Sequence, residues 1–268
     1  MNLNKFDYIE RNQSDSDLAV KEYGWVVFEN AIAAEVVDQI NEDLNEAYTL
    51  RRKIQEEQGI SQNMAGTLHH LVEPDNFAIP LLSKAYCHQE ITDQLGGKYI
   101  LNGMNAVIHA KKSQPYLSNM HRDVRTYNAA EKTLLQIIIT LDDFTLENGA
   151  TQFLSGSHKS QHRPNEDDFA RNASRAITKK GSIILFDSNI WHAAGENTTN
   201  YLRRALTIGF TRPYIKPQFD YSRYLGYDYV ENLPEEVKQV LGYNSRIPET
   251  LHEYYQPLER RMYKRDQG

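Results

Sequence analysis

The sequence predicts a mainly β protein, a barrel or sandwich of short strands with a layer of N-terminal helices packed on it. Two observations lead to this prediction. Apolar residues follow a helical period over the first third of the chain, and from Lys98 short apolar or alternating runs follow one another between turn residues. Strands this short and closely spaced are typical of a barrel or sandwich rather than of a parallel α/β sheet.

The first third contains three expected helices and one strand. Residues 15–23 are expected to form a short helix closed by Gly24, with a strand at 25–28 directly behind it. Residues 34–52 form an amphipathic helix, because apolar residues recur at helical spacing and charged residues fill the other face. A further helix is expected over residues 79–95.

Five strands are expected after the helices, at residues 99–109, 133–141, 151–155, 182–186 and 204–211. Between the second and third strands, Asn148-Gly149 predicts a tight turn that needs positive φ. Beyond Pro213 the chain is rich in Tyr and is expected to pack onto the β core. One domain is therefore expected, with a mostly helical layer at 1–97, the β core at 98–213 and a tail at 214–268.

Composition limits the classes of protein that fit. The 268 residues, 40% hydrophobic and 25% charged, suit one globular domain. A net charge of −6 without a basic block disfavours nucleic acid and anionic membranes as partners. The single cysteine, Cys87, rules out an internal disulfide, and neither a secretory signal nor a membrane-spanning run is visible. A cytoplasmic location with a small-molecule partner is expected; the oligomeric state is left open.

Three residues suggest a metal site. His121 and Asp123 stand two apart, and in an extended segment such residues project to the same face. This pair alone is a weak signal, since a surface His and Asp beside a turn is the simpler reading. His192 strengthens it, because it follows a buried strand and a turn. Two His and one carboxylate leave three adjacent positions open, as non-haem iron(II) requires, whereas zinc prefers four ligands with one open position.

An arginine that follows the third candidate ligand suggests that the site also binds a carboxylate. Arg203 starts the strand expected to return antiparallel to the one that delivers His192. A guanidinium binds carboxylates through two parallel hydrogen bonds and stays charged when buried, which suits the distal carboxylate of 2-oxoglutarate. Arg203 and Arg204 alternate in direction, so at most one enters the barrel, and alternation alone does not choose between them.

An ordered set of motifs resembles the phytanoyl-CoA dioxygenase family over residues 17 to about 213. The set comprises His121-Arg-Asp123, the run LENGATQFLSGSHK at 146–159, Trp191-His-Ala-Ala-Gly-Glu-Asn197 and Arg203-Arg-Ala. The resemblance implies a double-stranded β-helix (jelly-roll, cupin-like) with N-terminal helices. It also implies iron(II), 2-oxoglutarate and O₂ as cofactors, with iron on His121, Asp123 and His192 and 2-oxoglutarate on Arg203.

The resemblance also bears on the reaction. Some relatives chlorinate, and they carry Gly or Ala in place of the ligand carboxylate, whereas Asp123 is present here. Hydroxylation of an unactivated C–H bond, with release of succinate and CO₂, is therefore favoured. Desaturation and epimerisation use the same cofactors and stay open.

Several further residues are candidates for contact with the ligands. Gln136, in an expected strand, is predicted to hydrogen-bond the co-substrate or substrate, unless strand alternation turns it outward. Candidate substrate contacts, each with a local structural role as its alternative, are His69, His70, Arg125, Tyr127 and His158. No long basic patch suited to the phosphates of CoA is present, which favours a small polar or secondary-metabolite substrate.

Two alternatives from other classes remain. One is a non-catalytic jelly-roll protein that binds a small molecule, since a fold does not fix a function. The other is a zinc or manganese hydrolase or isomerase, which leaves Arg203 without a role. Formation of succinate would separate the oxygenase from both.

Overall fold

The computed structural model describes residues 5–7, 13–62, 64–111 and 118–267. The helices are α1 (Gln13–Tyr23), α2 (Ala34–Glu57), α3 (Ala78–Ser83), α4 (His88–Leu95), α5 (Glu166–Asn172), α6 (Tyr221–Leu225), α7 (Glu235–Val240) and α8 (Leu251–Tyr254). The strands are β1 (Lys5–Asp7), β2 (Trp25–Glu29), β3 (Thr67–Leu68), β4 (Ile100–His109), β5 (Leu134–Thr140), β6 (Gln152–Phe153), β7 (Ser174–Arg175), β8 (Ile183–Asp187), β9 (His192–Ala193) and β10 (Arg203–Thr211).

The strands form two sheets, which confirms the expected mainly β architecture with added helices. The larger sheet has the order β1-β2-β8-β5-β10-β4-β3, and its neighbours are antiparallel except for the parallel pair β1 and β2. The smaller sheet has the order β7-β6-β9. An isolated bridge joins His121 to His192 of β9, so the segment before β5 extends the smaller sheet.

Alternation along the central strands separates the packed core from an internal cavity. In β5, Leu135, Ile137 and Ile139 belong to the core cluster that includes Ile40 and Leu44 of α2. The residues between them in β5 line the cavity instead, as do alternate residues of β10. Since successive side chains of a strand point to opposite faces, one face of the larger sheet packs on the helices and the other forms the cavity wall.

The expected single helix over residues 79–95 is wrong. Helices α3 and α4 replace it, and between them Ala85 and Cys87 have φ of 50° and 59°. Left-handed residues cannot continue a right-handed helix, so the chain turns there. The turn allows Leu82 of α3 and Ile91 of α4 both to be buried in the core.

The other expected elements are present, with different ends or additions. Helix α2 continues past residue 52 to Glu57, and the last expected strand begins one residue earlier, at Arg203. The sequence pattern missed β1, β3, β7, β9 and α5. The missed strands have two or three residues, too few for an alternating pattern to be visible. Three strands of the larger sheet, β1 to β3, come from the mostly helical first 97 residues.

The turn at Asn148-Gly149 has the conformation that the sequence predicts. Gly149 has a φ of 81°, and a Cβ built on it would lie 2.3 Å from the carbonyl oxygen of Gly195. The Asn148 side chain accepts from the amide of Thr145 at 2.8 Å and donates to the carbonyl of Asp143 at 2.7 Å. The glycine is therefore required both for its φ and for the close approach of the segment after β9.

Among the described residues, no helix is long and apolar enough to cross a membrane.

Candidate metal and co-substrate site

The three expected metal ligands meet at one point. One donor atom from each of His121, Asp123 and His192 lies within 4.8 Å of the other two. The Nε2 atoms of His121 and His192 each lie 3.5 Å from a different carboxylate oxygen of Asp123. Backbone hydrogen bonds fix this meeting, because His121 and His192 form a β-bridge and the amide of Asp123 donates to the carbonyl of Ser188 at 3.2 Å. We refer to these three residues as the triad.

The backbone orients both imidazoles of the triad. Nδ1 of His121 lies 2.8 Å from the carbonyl oxygen of Asn119, and Nδ1 of His192 lies 3.1 Å from that of Ile190. A proton on each Nδ1, donated to the carbonyl, leaves the Nε2 lone pair directed at the shared point. Nε2 of His121 is buried and has no hydrogen-bond partner among the described residues. A buried acceptor of this kind fits a metal ligand.

Gln136 of β5 holds the carboxylate of the triad. It lines the cavity, and its Nε2 donates a hydrogen bond to Oδ2 of Asp123. The expectation that Gln136 faces inward therefore agrees with the structure. Its side-chain donor, however, is directed at Asp123, so its position suits orientation of a metal ligand.

The charges of the triad are coupled. Burial lowers the pKa of His192, and the nearby carboxylate of Asp123 offsets this only in part. Burial alone would raise the pKa of Asp123, but His192, His121 and the hydrogen bond from Gln136 outweigh it, so this pKa lies below its ordinary value. Burial opposes a charge on His121, yet the neighbouring carboxylate of Asp123, together with the Asn119 carbonyl, outweighs burial and raises the pKa of His121. Asp123 is therefore an anion at neutral pH, as a metal ligand must be.

Arg203 is a buried cation with free donors. It is 3% exposed, its Nη2 lies 3.2 Å from Nδ1 of His109, and its guanidinium carbon lies 4.5 Å from the ring centre of Phe144. Its Nε and Nη1 have no hydrogen-bond partner among the described residues. Burial lowers the pKa of Arg203 to about 10, which still leaves it charged at neutral pH. Unpaired donors on a buried cation are costly, so this group fits the binding of an anion in the cavity.

The neighbouring Arg204 points the other way, as alternation requires. Its Nε lies 2.9 Å from Oδ2 of Asp142 and its Nη2 lies 2.7 Å from Oδ1 of the same carboxylate. This two-point pair occupies its donors outside the cavity. Strand alternation alone did not decide which of the two arginines points into the cavity; in the structure it is Arg203.

One cavity of about 250 Å³ contains all of these groups. The triad, Gln136 and Arg203 line it together with His69. Of the five side chains predicted to contact substrate, His69 is the one that the structure brings to the described cavity wall. The other four are not among the residues that line it.

His70 and Arg125 are not among the residues that line the cavity, although Cε1 of His70 lies 3.8 Å from the Cβ position of Gly103 in its wall. The His70 ring stacks on Phe219 with centroids 4.6 Å apart, and its Nδ1 lies 3.1 Å from the hydroxyl of Tyr221. Consecutive residues diverge here, so His69 faces the cavity and His70 faces the C-terminal segment. Arg125 is exposed at the surface.

Tyr127 and His158 make contacts away from the residues that line the cavity. The Arg122 guanidinium lies 5.0 Å from the ring centre of Tyr127. His158 is buried, and its Nε2 lies 3.1 Å from the carbonyl oxygen of Lys21, which ties the 3₁₀ turn at Ser157–Lys159 to α1. These contacts correspond to the local roles that stood as alternatives.

Several polar side chains in or beside the cavity were not predicted from the sequence. His109 of β4 contacts Arg203, and the two residues are partners in the register of β4 and β10. Farther along the same wall stand Asn102, Asn105, Thr207 and Gln218. The alternation of the strand at 99–109 contained part of this signal, but the face that points inward is fixed only once β4 pairs with β10.

Comparison with known proteins identifies the family. The family model for phytanoyl-CoA dioxygenase (PhyH) matches residues 20–205. The chain belongs to the phytanoyl-CoA dioxygenase family. The resemblance seen in the motifs is thereby confirmed.

Relatives of this family member include bacterial and fungal proteins. The uncharacterized protein Rv1501 of Mycobacterium tuberculosis is 39% identical over 148 residues, which is 55% of this chain and 54% of that protein. The chain thus matches about half the length of this relative. The dioxygenase hkm4 of Aspergillus hancockii is 26% identical over 250 residues, with 85% of this chain and 80% of that protein covered.

Solved structures confirm the jelly-roll fold. HygX from Streptomyces hygroscopicus, with nickel and 2-oxoglutarate bound, superposes with a TM-score of 0.57 at 13% identity, covering 76% of this chain and 88% of that one. At this identity the likeness concerns the fold. The His-Asp-His donor set and the family together agree with the expected cofactors, iron(II), 2-oxoglutarate and O₂.

Proposed function

We propose that this chain is an iron(II) and 2-oxoglutarate-dependent dioxygenase that hydroxylates an unactivated C–H bond of a small molecule. The observation that carries the proposal is the presence of a His-Asp-His triad and an inward, buried arginine with unpaired donors in one cavity. The donor set accounts for the metal, and Arg203 accounts for a dicarboxylate co-substrate. Membership of the family supports the same assignment.

Each residue has a distinct task in this proposal. His121 and His192 bind iron through Nε2, Asp123 binds it through a carboxylate oxygen, and Gln136 fixes the carboxylate. Arg203 binds the distal carboxylate of 2-oxoglutarate and so orients its other end towards the triad. Phe144, Phe186 and Ile138 line the same cavity and limit access of water.

The bound cofactors supply the oxidation itself. Together they would convert 2-oxoglutarate and O₂ to succinate and CO₂, with one oxygen atom of O₂ in succinate and the other in the hydroxylated substrate. The chain provides ligand geometry, orientation and a cavity shielded from water. Its small-molecule partner, its location and the outcome at the substrate carbon stay predictions.

The two alternatives account for less of the site. A non-catalytic binding protein has no need for a triad whose imidazoles are both oriented by the backbone. A zinc or manganese hydrolase or isomerase leaves the buried, unpaired donors of Arg203 without a role.

The test is an anaerobic titration of the metal-free protein with iron(II) and 2-oxoglutarate, followed by the weak visible charge-transfer band of the chelate. We expect a band in the wild type and none in His192→Ala. Arg203→Ala should need about tenfold to thousandfold more 2-oxoglutarate, since a charge-assisted pair is lost.

Arg204→Ala is the matched control, because its guanidinium is bound to Asp142 outside the cavity. It should titrate like the wild type. A folded, iron-loaded protein that forms no band with 2-oxoglutarate would overturn the proposal. Succinate formation on admission of O₂ would exclude the binding protein and the hydrolase.

A further inference from the structure

A row of four residues crosses the larger sheet beside the triad. Phe186 of β8 pairs with Gln136 of β5, Gln136 pairs with Gly209 of β10, and Gly209 pairs with Gly103 of β4. All four line the cavity. Because Gln136 holds Asp123, the row passes next to the metal ligands. Since Gly209 and Gly103 are glycines, two of the four positions in the row carry no side chain. We refer to Gly103 and Gly209 as the glycine floor.

Backbone conformation does not explain the glycine floor. Neither glycine has a φ in the left-handed region, so a residue with a side chain could adopt the same backbone. The strand register shifts after Gly209, but a bulge needs glycine only where φ is positive.

Packing does not explain it either. A Cβ on Gly103 would come no closer than 3.5 Å to any neighbouring atom, and a Cβ on Gly209 no closer than 3.4 Å. Both are ordinary van der Waals distances, so alanine fits at each position. Glycine weakens a strand, and here two paired glycines leave room for about one methyl group at each of two positions on the cavity wall.

Neutral polar groups surround this space. Oε1 of Gln218 lies 3.5 Å and Nδ2 of Asn105 lies 3.7 Å from the Cβ position of Gly103. The nearest atom to the Cβ position of Gly209 is apolar, Cδ1 of Leu134 at 3.4 Å, and Nδ2 of Asn102 lies 3.7 Å away. Thr207 and His69 continue the same wall. A ligand atom on the glycine floor would thus meet both hydrogen-bond donors and acceptors within reach.

Fixed charges are absent from this part of the described wall. Apart from histidines, the ionisable residues among the described cavity-lining residues are Asp123 and Arg203, and the proposed function engages both. Burial and the nearby Arg51 lower the pKa of His69, so its imidazole is neutral at neutral pH. A charged substrate would lose hydration here without gaining a counter-ion. A hydroxyl group can donate and accept at once, and it matches amide and threonine side chains.

We propose that the glycine floor is the substrate subsite, and that the substrate is a neutral polyhydroxylated ring of the sugar or cyclitol class. This inference rests on the proposed function, since it places the substrate next to the iron ligands. The ring lies against the backbone of Gly103 and Gly209, and its hydroxyls bind Asn102, Asn105 and Gln218. Apart from Asp123 and Arg203, which the proposed function engages, and its histidines, the described wall offers no ionisable group to pair with a carboxylate or with the phosphates of an acyl-CoA.

The experiment uses the anaerobic protein loaded with iron(II) and 2-oxoglutarate, with the charge-transfer band as readout. The probes are myo-inositol and three matched pyranoses at millimolar concentration, namely glucose, glucosamine and glucuronate, together with butyryl-CoA. We expect myo-inositol or glucose to shift the band, and glucosamine, glucuronate and butyryl-CoA to leave it unchanged. A shift caused only by a charged probe or the thioester, or by no probe, overturns the inference.

Two variants test the position of the subsite. Gly103→Ala and Gly209→Ala should each weaken binding of the neutral probe about tenfold to hundredfold, because a methyl group then occupies the floor. The 2-oxoglutarate titration should be unchanged and the thermal unfolding midpoint not lowered, since Cβ has room in both places. Wild-type affinity in both variants overturns the inference. A wild-type protein without any band instead defeats the proposed function, and the inference with it.

Discussion

The chemistry of the site depends on contacts that hold single atoms in place. Both imidazoles of the triad have their Nδ1 beside a backbone carbonyl two residues earlier, Asn119 for His121 and Ile190 for His192. The carboxylate between them is held by Gln136. Such contacts fix the tautomer and direction of each ligand before a metal binds, which reduces the entropy lost on binding.

A substitution at Gln136 tests this orientation. Gln136→Leu removes the hydrogen bond to Asp123 with little change in volume, and we expect iron(II) to bind about tenfold to hundredfold more weakly. Competition with a coloured chelator measures the affinity. Gln218→Leu is the control, because Gln218 lines the same cavity without an observed contact to the triad. Equal affinity of Gln136→Leu and wild type would show that Gln136 does not position the ligand.

At the scale of elements, the C-terminal segment is joined to the cavity wall by α6. The hydroxyl of Tyr221 accepts from the amide of Met104 in β4 at 3.1 Å and lies 3.1 Å from Nδ1 of His70. The amide of His70 in turn donates to Oδ1 of Asn105 at 3.1 Å. Tyr221 is 2% exposed, as expected for a tail that packs on the core, whereas Tyr224 in the same helix is 50% exposed.

This junction predicts a pH-dependent stability. Burial, His69 and Arg51 lower the pKa of His70 from 6.5 to about 4. The unfolded chain therefore binds one more proton than the folded chain between these values, and the contribution of His70 is lost as pH falls from 6.5 towards 4. His70→Asn, which tolerates the local φ of 55°, should flatten the dependence of the unfolding free energy on pH in this window.

Urea unfolding at several pH values measures the effect. His162→Asn is the control, because His162 is exposed and should leave the slope of the wild type unchanged. If His70→Asn and the wild type have the same slope across this window, the neutral His70 does not contribute to stability.

At the scale of the whole molecule, the proposed ligands connect both sheets. His192 belongs to the smaller sheet, Arg203 begins a strand of the larger one, and Asp123 is held by Gln136 of the larger sheet. A metal and a co-substrate bound to these residues stabilise the folded chain, because the unfolded chain cannot assemble the site.

Ligand linkage gives a measurable prediction for the whole chain. Under anaerobic conditions, iron(II) at about a hundredfold excess over its dissociation constant should raise the unfolding free energy by about 2.7 kcal/mol, and 2-oxoglutarate should add a further increment. Arg203→Ala should keep the stabilisation by iron(II) and lose most of the further stabilisation by 2-oxoglutarate. A chelator that removes iron should reverse both stabilisations. An equal second increment in Arg203→Ala would contradict the assignment of this arginine.

Much of the fold and site follows from local sequence. The spacing of His121 and Asp123 and the strand that precedes His192 suggest a candidate donor set without the structure, since side-chain direction along a strand depends on near neighbours. The motifs likewise indicated the family. Local spacing wrongly predicted one continuous helix through residues 84–87. The apolar spacing continues there, but the backbone turns, which allows α3 and α4 both to be buried.

The sequence by itself determined the mainly β class, the helical layer, the donor set and the turn at Gly149, because each depends on a period or a residue type readable within a few positions. Only the tertiary structure decided that Gln136 holds Asp123 and that His69 rather than His70 lines the cavity. It also directs Arg203 rather than Arg204 inward, a choice that strand alternation left open and that the family resemblance had made. It alone paired Gly103 with Gly209. These facts depend on the register between strands distant in sequence, and register is fixed by packing of the whole sheet rather than by any one strand.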